Sequence, residues 1–446
     1  MAYVPHTDEQ LEQMLQEIGV ASFEDLIAAI PKDVRLPNGL DIPKGLSEFE
    51  VTAMMKEMAA KNRGAVEAVG FLGGGSYDHF IPSAVGAILS RSEWYTAYTP
   101  YQPEVSQGTL QAIYEFQSVI ANITGMEVAN ASLYDGPTAM NEAMLLALRV
   151  QRKREKVLLS EGVHPHTLKI MRTYADTSGI DLQTVPLKDG RTDMDALSAA
   201  LGDDTAVLLF SQPNFFGVIE DGRALVKAAQ DAGAMASVNA YPVALGMLES
   251  PGAYGADLVT GEGQSLGNHM GYGGPYVGLF AAKEKLIRQM PGRISGLTQD
   301  VEGRRGFVLA LQTREQHIRR GKATSNICTN QGLNALASLI HVALLGKEGF
   351  RKVAHLCYHK AHYLHGRMSE LNGWTPAFDR PFFNEFVFET PEPAEHIIDK
   401  MKDKGFFAGI RLDRFYPEMR NRLLVAVTEK RTRAEMDRFI EELKTL

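Results

Sequence analysis
The sequence predicts an α/β protein built on a mostly parallel sheet, preceded by a helical arm and followed by a smaller α+β domain. Three observations carry this expectation. From about residue 65 to 330, amphipathic helical segments alternate with short apolar runs, as expected of a parallel sheet covered by helices. The first 65 residues show helical periodicity bounded by capping signals. After Asn330 a long helical stretch leads into strand-like pieces and a last helix. The expected divisions are a helical arm over 1–65, a large domain over 66–330 and a small domain over 331–446.

In the arm, Thr7 with Gln10 and Ser47 with Glu50 fit the capping box, in which two side chains three residues apart satisfy each other's backbone N–H groups. Helical periodicity follows each pair and ends at Gly19 and Gly64. Between them PKDVRLPNGLDIPKGL carries Pro and Gly at short intervals and reads as an extended connector. Arms of this kind wrap partner subunits. In the middle segment helices are expected over Thr109–Thr124, Met140–Arg154 and Gly222–Ala232, and strands at KVLLS, TAVLLFSQ, MASVNA and ADLVTGEG. In the last segment GLNALASLIHVALLG is a helix, FNEFVFET, GFFAGIRL and RLLVAVT hold strands, and a helix begins at Arg433.

Composition excludes several classes. The chain has 446 residues, 45% hydrophobic and 22% charged, as a globular protein should. Its apolar stretches are interrupted well short of the ~20 residues a membrane span needs. The start, MAYVPHTDEQLEQML, lacks the basic and apolar blocks of a secretory signal, so a cytoplasmic location is expected. A net charge of −8 speaks against nucleic-acid binding, which rests on clustered Lys and Arg. Lys283 to Lys322 is the exception, with ten basic and four acidic residues. That run faces either an anionic partner or solvent. Cys328 and Cys357 fit neither a disulfide framework nor a zinc motif and are read as reduced thiols. No metal-ligand spacing is present; His355, His359, His362 and His365 read as a helix face. Gly73 to Gly75 lack the lysine of a phosphate loop and read as a tight turn.

The motifs NASLYDGPTAMNEA (130–143), GEGQSLGNHMGYGGPYVG (261–278) and TREQHIRRGKATSNICTNQGLNAL (313–336) are long enough to be specific. SEWYTAYTPYQPEVSQGTLQAIYEFQ (92–117) and QMPGRISG (289–296) extend the match over essentially the whole chain. The sequence closely resembles the N-terminal-half (alpha, or subunit 1) chains of two-chain glycine decarboxylases, the P-protein family of the glycine cleavage system. That resemblance implies an aminotransferase-like, fold type I pyridoxal-phosphate architecture in which two homologous halves pair and only the other half carries the cofactor. The chain ends at Leu446, so a separate beta subunit and an alpha2beta2 heterotetramer are implied. So is the reaction: glycine is decarboxylated and its aminomethyl group passes to the lipoyl group of H-protein.

A pyridoxal-phosphate site of this class needs an anion cradle, a ring to stack on the pyridine, a carboxylate for the pyridine nitrogen and a Schiff-base lysine. NASLYDGPT offers free amides at Gly136 and Thr138 for a phosphate, though Asp-Gly-Pro equally marks an ordinary turn. His164, after KVLLS, stands where the ring belongs, or lies in a polar loop. By the resemblance, Asn239 occupies the aspartate position and Gln264 the lysine position. A neutral amide cannot hold the pyridine nitrogen protonated, and glutamine cannot form an imine. The expectation is a catalytically silent half. Lys283 or Lys285 as an unrecognised imine former, giving a self-sufficient decarboxylase, is one alternative; a purely structural or regulatory subunit is another. Two segments are expected to reach the partner's site: Tyr95, Tyr98, Tyr101 and Gln102 along a lipoyl channel, and Lys322, Thr324, Ser325 and Asn326, at a helix start, toward the cofactor phosphate.

Overall fold
The computed structural model describes residues 6–36, 40–43, 45–64 and 67–446. It falls into two compact units, residues 1–67 and 68–446. In the first, the Thr7–Gln10 box opens the helix Asp8–Ile18, and Gly19 closes it in the left-handed conformation. The Ser47–Glu50 box opens Glu48–Ala59. That helix stops before Gly64 because Lys61 N and the Asn62 side chain both bond the Met58 carbonyl. A short helix, Phe23–Leu26, and a 3-10 turn, Lys32–Val34, lie between the two boxes. Residues 37–39 and 44 of the expected connector lie outside the described residues.

The second unit is organised by a seven-stranded sheet. Its strands are β1 (Val128–Ala129), β2 (Lys156–Ser160), β3 (Asp181–Val185), β4 (Thr205–Gln212), β5 (Met235–Ala240), β6 (Leu258–Glu262) and β7 (Gly278–Ala282), in the order β1-β7-β6-β5-β4-β2-β3. The five from β6 to β3 are parallel, while β7 runs antiparallel to both its neighbours. All eight residues of β4 are buried, as expected of a central parallel strand covered on both faces. One face packs on helices Gln107–Thr124 and Gly222–Asp231 and the first part of Gly332–Ser369; the other packs on Gly136–Val150 and Pro165–Ser178.

The helix expected over Thr109–Thr124 opens earlier, at Gln107, and another is displaced at both ends. The helix expected over Met140–Arg154 spans Gly136–Val150, because the Asp135 carboxylate caps Thr138 N at 2.7 Å and Pro137 suits the first turn. At its far end Arg154 leaves the helical path to donate to the carbonyls of Thr205 and Ala232. GLNALASLIHVALLG does form a helix up to Gly346, where φ is 59° and the axis kinks before a second segment runs on to Ser369.

Toward the C-terminus, Thr375–Pro376, Glu385–Glu389, Arg422–Ala426 and Ile410–Arg411 form an antiparallel four-stranded sheet. Helices Ala394–Asp403 and Arg433–Leu443 complete a core with Phe388, Phe406 and Phe439. Among the described residues no helix is long and apolar enough to cross a membrane.

Candidate functional site
Parallel sheets place their sites beyond the carboxyl ends of the strands. A small cavity of about 70 Å³ lies there, walled by Gly75, Tyr77, His164, Ser211, Asn239 and Glu262 among others. His164 caps the helix Pro165–Ser178, its Nδ1 accepting His166 N–H at 3.1 Å, and its ring meets Phe215 edge-on at 4.9 Å. Burial, with His166 beside it, pushes the imidazole pKa down to about 4, so this ring is neutral at pH 7. Asn239, near the end of β5, sits in register between Ser211 and Thr260. It donates to Ser211 Oγ at 3.2 Å and accepts from Thr260 Oγ1 at 3.3 Å.

The anion cradle is already filled by the protein. Glu262, at the end of β6, accepts Gly136 N–H at 2.9 Å, Gln264 N–H at 3.1 Å and Val277 N–H at 3.2 Å. Thr138 N–H is taken by Asp135. The amides expected to be free for a phosphate are therefore spent, because a helix N-terminus recruits whichever anion is nearest. Gly136 itself has no room for a side chain: a Cβ there would lie 3.0 Å from the Glu262 backbone nitrogen. Burial lifts the Glu262 carboxyl to about 7 against the lowering effect of those N–H donors.

Gln264 is 2% exposed and fully engaged. Its Oε1 accepts Tyr77 N–H at 2.9 Å, and its Nε2 donates to the carbonyls of Tyr77 at 3.1 Å and Asn268 at 2.8 Å. Tyr77 packs on Tyr241 with ring centroids 4.5 Å apart and donates its hydroxyl to Glu385 at 2.9 Å. Gly74 N–H bonds the same carboxylate at 2.6 Å. Gly74 and Gly75 have φ of +69° and +96°, and a Cβ at Gly73 would collide with Glu385 Oε1, so the glycine run is the turn that folds this segment into the cavity. Sequence reasoning found the turn but not Tyr77, Glu262 or Glu385 as fillers of the site.

No lysine lines this cavity among the described residues. Lys283 caps a 3-10 turn away from it and pairs with Asp257 at 2.7 Å; Lys285 lies 3.9 Å from the same carboxylate. A covalently held pyridoxal phosphate does not fit here: the cradle is occupied, the imine lysine is absent and Asn239 is held by neutral partners.

A larger cavity of about 140 Å³ is lined by Trp94, Tyr95, Tyr98, Phe116, Asn330 and Leu336 among others. Tyr101 and Gln102 do not share it. The Tyr101 hydroxyl accepts from Arg293 Nη2 at 3.0 Å and its ring meets His317 at 5.2 Å, while Gln102 is exposed before the turn Pro103–Val105. GKATSN is not at a helix start: Lys322 ends a 3-10 turn and the next helix opens at Gly332. The intervening residues are tied instead by Ser325 Oγ to Ile327 N–H and by Asn330 to the Ala131 carbonyl. Lys322 and Asn326 are exposed, and Thr324 and Ser325 edge a narrow cleft with Arg314 and Glu315. Of the four helical histidines, His355 and His359 face outward, whereas His362 stacks on Phe382 at 4.0 Å and His365 lies 4.8 Å from it.

A family model described as glycine cleavage system P-protein matches residues 1–443. The chain belongs to the P-protein family. The probable glycine dehydrogenase (decarboxylating) subunit 1 of Chloroherpeton thalassium is 51% identical over 446 residues, covering 100% of both chains. A crystal structure of an inhibitor-bound glycine decarboxylase (P-protein) of the glycine cleavage system matches with a TM-score of 0.92 and 45% identity over 100% of each chain. The sphingosine-1-phosphate lyase of Burkholderia pseudomallei shares the fold alone, with a TM-score of 0.66 and 17% identity over 93% of this chain and 94% of its own. The architecture of this P-protein chain is the fold type I architecture of pyridoxal-phosphate enzymes.

Proposed function
We propose that this chain is the alpha subunit of a two-chain glycine decarboxylase, active only with a beta subunit that carries the pyridoxal phosphate. The observation that carries this reading is Gln264, which lies just beyond β6, at the position the family resemblance gives the cofactor lysine, and is bonded to Tyr77 and Asn268. The chain's part is to complete and support the partner's site in an alpha2beta2 heterotetramer. The assembly acts on glycine and passes the aminomethyl group to lipoylated H-protein, in the cytoplasm. The test is the visible absorbance with added pyridoxal phosphate, taken on this chain alone and on the chain co-purified with its beta partner. A band and glycine-dependent carbon dioxide release from the mixture only are expected. A borohydride-fixed lysine adduct on this chain alone would overturn the proposal.

Tyr95, Tyr98, Tyr101 and Gln102 border the lipoyl path in this reading. An apolar cavity carrying Tyr95 and Tyr98, with Tyr98 76% exposed, supports it. Lys322, Thr324, Ser325 and Asn326 reach toward the partner's cofactor phosphate; an exposed ammonium without an ion pair among the described residues supports that role. Such a lysine suits a phosphate as a point charge. The expected division at residue 330 between a large and a small domain belongs to the same reading.

A further inference from the structure
His79, Cys357 and Glu429 come from three distant segments and converge on one buried point. Their donor atoms, a ring nitrogen, a sulfur and a carboxylate oxygen, all lie within 4.8 Å of one another. His79 Nδ1 stands 2.6 Å from Glu429 Oε2, and the Cys357 thiol donates to that same oxygen at 3.5 Å. Cys357 is fully buried, and the side chains of His79 and Glu429 are 3% and 10% exposed. No part of the site described above uses this trio, although Tyr241 touches both.

We propose that His79, Cys357 and Glu429 form a binding site for a zinc-class divalent cation, with a water molecule in the fourth position. The donor set is right for such an ion: imidazole, thiolate and one carboxylate oxygen are its ordinary ligands. So is the spacing. Ligand atoms about 2.0–2.3 Å from a tetrahedral ion stand roughly 3.3–3.8 Å from each other; the sulfur–oxygen pair at 3.5 Å already fits, and the nitrogen–oxygen pair at 2.6 Å must open by side-chain rotation.

The surroundings are built as a metal site's are. A ligating histidine is fixed by a partner on its other nitrogen. His79 Nε2 has one in the Tyr241 hydroxyl at 2.5 Å. Phe80 N–H holds Glu429 Oε1 at 2.6 Å, leaving Oε2 facing the trio, and Lys360 Nζ pins the Glu429 backbone carbonyl. His341 adds an independent observation. It is 4% exposed and its Nδ1 has no hydrogen-bond partner among the described residues. A buried ring nitrogen without a partner is costly unless something binds it.

Binding releases the thiol proton of Cys357 to solvent, while the proton of the neutral His79 ring sits on Nε2, donated to Tyr241, and leaves Nδ1 free for the ion. The ion is structural. It clamps the segment around Tyr77 to the second half of the kinked helix and to the 427–431 loop.

The full chain, stripped with chelator, is titrated with Co2+ and then Zn2+. One Co2+ per chain is expected, with a near-ultraviolet thiolate-to-cobalt absorption that Zn2+ abolishes and a melting temperature that rises with Zn2+. The band should persist in Cys328→Ser, vanish in Cys357→Ser, and need at least tenfold more Co2+ in Glu429→Gln and His79→Gln. A folded wild-type chain with no such band overturns the proposal, whether or not Cys357→Ser folds. So does a band that follows Cys328, a band unaffected in both Glu429→Gln and His79→Gln, or a melting temperature indifferent to Zn2+.

Discussion

Gln264 holds Tyr77 by both edges of its backbone, accepting its N–H at 2.9 Å and donating to its carbonyl at 3.1 Å. The amide mimics a strand pairing, which a lysine cannot do because an ammonium accepts no hydrogen bond. Gln264→Lys therefore does not recover cofactor binding. It strands the buried Tyr77 N–H and destabilises the chain by about 1–3 kcal/mol. Thermal unfolding and absorbance with added pyridoxal phosphate check both parts; a stable variant with a visible band would refute the claim that the pocket is filled rather than merely lysine-free.

Burial lifts the Glu385 carboxyl from 4.5 to about 7, with Gly74 N–H and the Tyr77 hydroxyl pulling the other way. A carboxyl raised in the fold is protonated more readily there than in the unfolded chain. Its stabilising contribution is full below about pH 4.5 and is lost as pH rises through 7. Burial pushes the Glu429 carboxyl up, but His79 outweighs it and holds the group near 2; its contribution is constant above about pH 4.5, is lost only as pH falls below that, and does not offset this loss. Glu385→Gln keeps both hydrogen bonds, since the amide donates to the Tyr77 oxygen. It should remove up to about 3 kcal/mol of the stability lost between pH 5 and 8. Melting temperatures at the two pH values decide it: equal slopes for wild type and variant would sink the assignment.

The central strands were legible because their signal is local. KVLLS, TAVLLFSQ and MASVNA are short, largely apolar runs, and each is a strand over those residues. Capping boxes at Thr7 and Ser47 are equally local and fixed both helix starts. What could not be read is what the fold brings together across long separations. Tyr77 and Gln264 are 187 residues apart, Gly74 and Glu385 311, and His79 and Glu429 350. A glutamate in GEGQ looks like a solvated turn until Glu262 is seen on the helix N-terminus. GKATSN misled for a related reason: its Gly-Lys-Ala-Thr pattern resembles a cap, yet the chain spends those residues on loop contacts before the helix opens at Gly332.

Arg293 is 1% exposed and its Nε lies 3.2 Å from Glu315 Oε2, which is itself buried. The guanidinium also lies 5.3 Å from the centre of the Tyr101 ring. Arg293→Met leaves the Glu315 charge enclosed without its guanidinium, and a loss of about 3–5 kcal/mol is expected. The double variant Arg293→Met with Glu315→Gln should regain most of it, because the uncompensated charge is gone. Denaturant unfolding of both variants beside the wild type checks this. If the double variant is no more stable than Arg293→Met, the cost lies in packing and the Tyr101 contact rather than in the charge.

Lys322 and Thr324 separate the partner-site role from a structural one. Lys322 is exposed, and Thr324 contributes its backbone N–H, not its hydroxyl, to the bond with the Arg314 carbonyl. Lys322→Ala and Thr324→Ala should therefore leave the isolated chain within about 0.5 kcal/mol of wild type. In the assembled enzyme, on the proposed role, each should remove a hydrogen bond to a charged phosphate, worth about 1.5–3 kcal/mol, and cofactor affinity should fall by about tenfold to a hundredfold. Tyr98→Ala is the contrasting variant: it should slow carrier-dependent turnover and leave cofactor affinity alone. Equilibrium binding of pyridoxal phosphate and turnover with lipoylated carrier resolve the three. Unchanged affinity and turnover in both GKATSN variants would mean that this loop serves assembly and does not reach the partner's cofactor.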